Sequence, residues 1–290
     1  MTVMKATKSK FGQALTSGRL VITAECLPPR RDAVGAVKRL ATVLPPAVDA
    51  IVVADNPDEI HGSALACAAL LAREGRDAVV SMTTRDRNRI ALESDALGAE
   101  ALGVSGILCL TGNHQSLGVC PQAASANDID SIQFAQAVTA LELPELLVGA
   151  VAEPHLTPMG LNLLRLKKKI AAGADFLLTE PVFDVTSFGK WMDAVSEAGL
   201  DSKVAIIASV LPLDSVEKAQ TLQKHQTYGP IDDAAIERLG NAADPAKEGL
   251  AMASEVAAQL KSVPGVRGIH ILCGGSEAVA GELVAAAKLA

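Results

Sequence analysis

Acids, amides and hydroxyls recur in this chain just downstream of short apolar runs, and a parallel sheet would gather them on one rim. Glu25 closes the run from Leu20 to Ala24, and Pro28 and Pro29 fix the chain direction just beyond it. Asp55 and Asn56 follow a second run, and Thr83, Thr84, Arg85 and Asp86 a third. Asn113 and His114 follow a fourth, Glu153 and His155 a fifth, and Glu180 a sixth. A carboxyl on rigid backbone in an enclosed mouth suits general-acid work, because burial disfavours its charged form and moves its pKa toward neutrality. Glu25 is the first candidate. The bland reading is that strand ends meet water and their polar groups are merely solvated. For Glu25 the prolines tip the balance toward function; for the others both readings stand.

Other polar groups carry less. His61 and His225 read as surface positions, and His270, inside an apolar run, as a satisfied core histidine. Glu153 and His155 supply only two donors, so no metal site is expected. Lys167, Lys168 and Lys169 read as a solvated helix face. Placed in the first half of that helix, they would also reach an anionic cofactor lying across the rim. The five cysteines are odd in number and form no C-x-x-C pair, which argues for reduced thiols in a cytoplasmic protein.

The elements that must position these groups are legible as eight beats. Candidate strands are LVITAE, AIVVAD, AVVSMTT, GILCLTG, LLVGAVAE, FLLTEPVF, VAIIASVL and VRGIHILC. Between them lie amphipathic stretches, several stopping at a glycine (Gly75, Gly103, Gly173, Gly199), as helix C-termini do. Continuous apolar strands separated by helices imply a covered parallel sheet. Eight units in 290 residues point to a (β/α)8 TIM barrel, with DDAAIERLGNAADPAKEGLAMASEVAAQLKSV as extra helix before the last strand. The expected organisation is a single domain over 1–290, with residues 1–18 as an N-terminal extension or helix. A doubly wound sheet is the alternative, but the first strand leads into PPRRD, and neither G-x-G-x-x-G nor G-x-x-x-x-G-K-[ST] occurs.

Apolar residues make up 49% of the chain and aromatics 2%, so the core must be aliphatic. Lys plus Arg is 26 against 33 for Asp plus Glu, a net charge of −7 with no basic block, which gives no support to a nucleic-acid partner. No stretch reaches the roughly 18 apolar residues of a membrane span, and no membrane partner is expected. Ala-rich segments such as HGSALACAALLA are smooth enough to pack between protomers of a homo-oligomer or inside the molecule.

The motifs TAECLPPR, TRDRNRIALESDALGAEALGV, ILCLTGNHQS, RLKKKIAAGADFLLTEPVFD and VLPL, in this order, together resemble the methylenetetrahydrofolate reductases, most nearly their short single-domain bacterial and archaeal branch. The resemblance spans Leu20 to Ile271. It implies a (β/α)8 barrel, a bound FAD, NADH or another electron donor, and a folate substrate, 5,10-methylenetetrahydrofolate, reduced to 5-methyltetrahydrofolate. That places the chain in one-carbon metabolism and methionine biosynthesis, with an electron-donor or corrinoid-pathway protein as a partner.

By the same resemblance, Glu25 is the general acid that protonates folate N5 and opens the imidazolidine ring. Flavin contacts fall at Asp55, Ser81, Thr83, Leu110, Thr111, Gly112, Asn113, Ala150 and His155, with Arg165, Lys168 and Lys169 reaching the pyrophosphate. Glu25, Asn113 and Glu180 meet the folate. Three positions depart from the family pattern: Asn113 for aspartate, Val151 for an aromatic and Glu180 for glutamine. As a carboxylate, Glu180 would still hydrogen-bond the pterin N–H groups. The alternative function is a flavin-free folate-binding methyl or one-carbon transferase on the same barrel.

Overall fold

A computed structural model describes residues 5–57, 59–114, 116, 120–225 and 229–289. Its eight strands, β1 (Val21–Cys26), β2 (Ala50–Val53), β3 (Ala78–Thr83), β4 (Gly106–Leu110), β5 (Leu147–Ala152), β6 (Phe176–Pro181), β7 (Ala205–Val210) and β8 (Val266–Ile271), pair in parallel and in chain order. β8 returns to β1, with Val21 opposite Gly268, and the barrel closes. The (β/α)8 expectation is met, and the doubly wound alternative is excluded because a closed sheet has no edge.

Helices cover the outside: α2 (Ala33–Val43), α3 (Ala64–Arg73), α4 (Arg89–Ala101), α5 (Ser131–Ala140), α6 (Met159–Ala171), α7 (Val185–Glu197) and α11 (Ala278–Ala286). The segment read as extra helix forms α9 (Asp233–Gly240) and α10 (Pro245–Leu260), which follow α8 (Val216–His225) in the connection between β7 and β8. The side chain of His225 lies outside the described residues. Gly75, Gly103, Gly173 and Gly199 take positive φ of 75°, 77°, 98° and 63°, the left-handed conformation a helix C-terminus asks for. No helix among the described residues is long and apolar enough to cross a membrane.

Period-two alternation divides each strand between two cores. Ile22, Ala24 and Cys26 of β1 face the helices, in one large cluster with Val148, Ala150 and Ala152 of β5. Val21, Val52, Val79, Leu108, Leu147, Phe176 and Ile207 fill the barrel interior. The interior is plugged at the strands' N-terminal end by α1 (Lys10–Ser17), which inserts Phe11, Ala14 and Leu15. Phe11 and Phe176 meet edge to face, centroids 5.2 Å apart at 81°. With that end closed, any ligand must enter between the strands' C-terminal ends.

Gly149 makes room for this plug, since a Cβ there would sit 2.3 Å from Phe176 Cζ. Gly149→Ala is expected to cost about 1–3 kcal/mol in urea denaturation through overpacking, and Phe176→Leu in the same chain should recover part of it. No loss in the single variant would mean that the plug is looser than described.

Candidate active site

The barrel mouth holds a cavity of about 390 Å³, within the range of a small-molecule site. Val52, Leu108, Leu110, Val151 and Leu178 give it apolar walls, while Glu25, Asp55, Glu153 and Glu180 bring carboxyl groups. Glu25 stands on β1 two residues after Thr23, so its side chain shares the inner face while Cys26 packs outward. It is half-buried, and the cavity includes it.

Eleven of the fourteen site residues expected from the sequence line this cavity: Glu25, Asp55, Ser81, Thr83, Leu110, Thr111, Gly112, Asn113, Arg165, Lys169 and Glu180. Three do not. Ala150 is one residue out of phase with Gly149 and Val151, so alternation turns its methyl into the outer helix layer. Lys168 is exposed, because one residue along a helix is a turn of about 100°, and only Lys169 points inward. His155 lines a separate small pocket beside the mouth, with Phe183 and Gly229, and touches the site through Glu180. Lys168 and Lys169 also lie in the last turn of α6, not its first half, where cations suit the helix dipole.

Asp55 is tied into the rim. Its carboxylate accepts from the Thr83 amide at 2.9 Å and from Arg87 at 2.7 and 3.3 Å. The Thr83 hydroxyl lies 2.9 Å from Asp55 and 3.0 Å from Asp86, and its one proton serves one of them at a time. Arg85 pairs with Asp86 at 2.7 Å and donates to the Asn113 carbonyl at 3.3 Å, which joins the loops after β3 and β4. Gly112 turns beneath it with φ +82°, where a Cβ would come within 3.3 Å of the Arg85 and Thr83 side chains. The Arg-rich motif therefore clamps the rim. Sequence reading missed Arg87, whose partner lies 32 residues away.

His270 was expected to be a satisfied core histidine. Its Nδ1 pairs with the Thr23 hydroxyl at 2.9 Å inside the barrel, and the ring also forms part of the cavity floor. Burial pushes its pKa down to about 3, so the floor is neutral at physiological pH. Asn162 was missed as well. It donates to the carbonyls of Glu153 at 2.7 Å and Leu156 at 3.1 Å and accepts from Trp191, which fixes the loop carrying Glu153 and His155.

Glu180 sits on an irregular stretch of β6, where the register with β7 shifts between Leu178 and Pro181. Proline cannot donate to the ladder, and side chains substitute: the Thr179 hydroxyl donates to the Glu180 carbonyl at 2.8 Å and accepts from the Ser209 amide at 2.9 Å. Such bulges re-aim a neighbouring side chain. The Glu180 carboxyl enters the mouth, its pKa raised to about 7 by burial and by Glu153, against the opposing pull of Lys169 and Arg165. Its Oε2 lies 3.1 Å from His155 Nε2, but without hydrogen-bond alignment.

Whether these residues suit a flavin divides by the parts of the molecule. The apolar wall and the Thr111–Asn113 edge suit a flat heterocycle. The cations are less available to a diphosphate: Arg165 lies 3.3 Å from Glu153, and Lys169 Nζ donates to the Val151 carbonyl at 2.6 Å. Of the two, Arg165 is the more exposed and the freer to turn. No cluster of three or more metal-ligating side chains occurs among the described residues.

A closed parallel barrel, plugged below and lined with acids above, belongs to the TIM-barrel enzymes, whose chemistry sits at the strands' C-terminal ends. Within that class the chain belongs to the methylenetetrahydrofolate reductase family, whose model matches residues 10–287, and it is an oxidoreductase. It is 24% identical to the 5,10-methylenetetrahydrofolate reductase of Salmonella typhimurium over 216 residues, 71% of this chain and 69% of that one. The Escherichia coli enzyme of the same name gives the same identity and coverage. Among solved structures, a Clostridium thermocellum protein that binds two copies of 5-methyl-5,6,7,8-tetrahydrofolic acid shares the fold, with a TM-score of 0.68, 15% identity and coverage of 94% of this chain and 98% of that one.

Asp55→Ala would strand Arg87 on the rim without its main partner. A loss of about 1–3 kcal/mol is expected in denaturation, because the buried Thr83 amide loses its acceptor and Arg87 keeps only the longer contact to Asp95 at 3.4 Å. Unchanged stability would return Asp55 to the set of residues free for a ligand.

Proposed function

We propose that this chain reduces 5,10-methylenetetrahydrofolate to 5-methyltetrahydrofolate in the barrel mouth, with Glu25 as general acid. The observation that carries this reading is the Glu25 carboxyl on the inner face of β1, in the cavity of a chain of this family. The folate-binding barrel of similar fold supports the substrate class. In the product the new methyl stays on N5, so the bond that breaks joins the methylene carbon to N10. The Glu25 proton therefore goes to N10, not to N5 as first expected. The N10 lone pair takes that proton as the ring opens, the N5 lone pair forms the C=N bond of the iminium, and a hydride completes the methyl.

Asn113 and Glu180 hold the pterin, and the neutral His270 beneath them closes the floor without adding charge. A bound reduced flavin would supply the hydride, and Leu110, Thr111, Gly112 and Asn113 would hold its ring while Arg165 would reach its phosphates. FAD is the form favoured by the family resemblance, with NADH or another donor behind it.

The pairing of Arg165 with Glu153 and of Lys169 with a backbone carbonyl favours a second reading. There the same pocket holds folate without flavin and passes the N5 methyl to a thiolate or reduced corrinoid, the electron pair of the broken bond remaining on N5. Purified protein with a stoichiometric yellow flavin that methylenetetrahydrofolate reoxidises supports the first reading. Colourless protein that takes up no flavin, yet demethylates 5-methyltetrahydrofolate, supports the second.

Glu25→Gln should lower folate reduction by at least ~100-fold, in the range of a lost general acid, while donor oxidation by an artificial acceptor continues. Loss of both half-reactions together would show that Glu25 holds the structure or the donor instead.

A further inference from the structure

We propose that Glu180 meets its ligand as a neutral carboxyl, kept so by its burial against an uncharged His155 and by the nearby Glu153, and selects an edge that pairs one hydrogen-bond donor with one acceptor. The inference deepens the folate reading above and rests on it for the ligand. Its basis is the arrangement around one oxygen. Glu180 Oε2 is buried and has no aligned hydrogen-bond partner among the described residues. Ionisation would put part of the charge on this dry oxygen with nothing to replace its hydration, while the other oxygen faces the mouth, the side chain being 20% exposed.

The elements around Glu180 offer no cation aligned to Oε2 among the described residues. From the loop after β5, His155 approaches to 3.1 Å, but burial lowers its pKa and keeps the imidazole neutral. Gly229 presses on the ring of that histidine, where a Cβ would stand 3.0 Å from His155 Cγ, and brings no charge. From the end of β5, Glu153 adds a like charge. From α6, Arg165 is turned to Glu153 and Lys169 to the Val151 carbonyl. Asp184, at the start of α7, lines the pocket on the far side of His155, and its carboxylate accepts from Ser187 and Thr186. The two cations lower the Glu180 pKa, but burial and Glu153 outweigh them, and the group titrates at about 7.

The chemical consequence concerns what the side chain can recognise. A carboxylate only accepts, and would read two adjacent N–H groups. A neutral carboxyl offers an O–H donor beside a C=O acceptor, the same pattern as a carboxamide. The matching ligand edge is a lactam, such as the N3–H and C4=O of a pterin. The neutral form is half present at about pH 7, near complete about a unit below it, and lost as pH rises above it.

The test has two arms. Infrared difference spectra of the free protein should show a protonated-carboxyl band that disappears as pH rises through about 7 and is absent in Glu180→Gln. A band that titrates in the ordinary carboxylate range overturns the inference without any ligand. In the second arm, calorimetry measures the Kd for 5-methyltetrahydrofolate from pH 6 to pH 9. Wild type should weaken roughly tenfold per pH unit above 7, whereas the Gln variant, which keeps donor and acceptor at every pH, should show no such slope. Wild-type affinity that is flat or rises with pH, or a correctly folded Gln variant that binds at no pH, would show that the carboxylate is the binding form. Absence of binding in both proteins, with the infrared band present, would sink the folate reading and leave the neutral carboxyl standing.

Discussion

The account depends on strand parity in a closed barrel. Each strand sends alternate side chains inward and outward, and ring closure fixes which set is which, so a slip of one residue in β1 would bury Glu25 among the helices and put Cys26 in the mouth. The plug of Phe11 against Phe176 closes the N-terminal end, and the ladder from β1 through β8 and back leaves no strand free to shift alone. The geometry of the mouth is thereby inherited from packing deeper in the barrel. Glu25 and Glu153 sit where they do because Val21 and Leu147, an even number of residues earlier on the same faces, must be buried together.

The rim has its own economy of charge. The acid at the end of β2 is matched by an arginine in the β3 loop, and the arginine two positions earlier by its neighbouring acid. Around the second half of the ring the matching is incomplete: Glu153 takes Arg165, and Glu180 is left with a neutral imidazole. One side of the mouth is thus rigid and internally neutralised. The other holds the group poised to change its proton content, next to the irregular stretch of β6 that aims it. A rigid wall facing an adjustable one suits a site that must first hold a flat heterocycle and then move protons around it.

Much of this could be read from the chain alone, for a physical reason. Eight apolar runs, a glycine after several helices and polar residues at strand ends are local signals, and each answers to one element. Where the reading slipped, the deciding interaction was long-range or depended on phase. Lys168 and Lys169 are equivalent as composition, and only the position of α6 against β5 chooses the second. Ala150 needed the parity of β5 to be placed in the outer layer. Arg87 found its partner across a connection that no periodicity reveals, and His270 proved to be both a satisfied core histidine and part of the cavity floor, because an apolar run does not disclose how deep the mouth extends. Glu180 was placed on the rim by its strand, but its environment depends on the bulge at Pro181 and on a loop from the preceding unit.

The most direct measurement is a crystal structure with 5-methyltetrahydrofolate soaked in. The account predicts the pterin over the floor formed by His270, with N10 within hydrogen-bond reach of the Glu25 carboxyl and the lactam edge turned to Glu180. A folate bound outside the barrel, or in the mouth with Glu25 facing away from its reacting atoms, would contradict it.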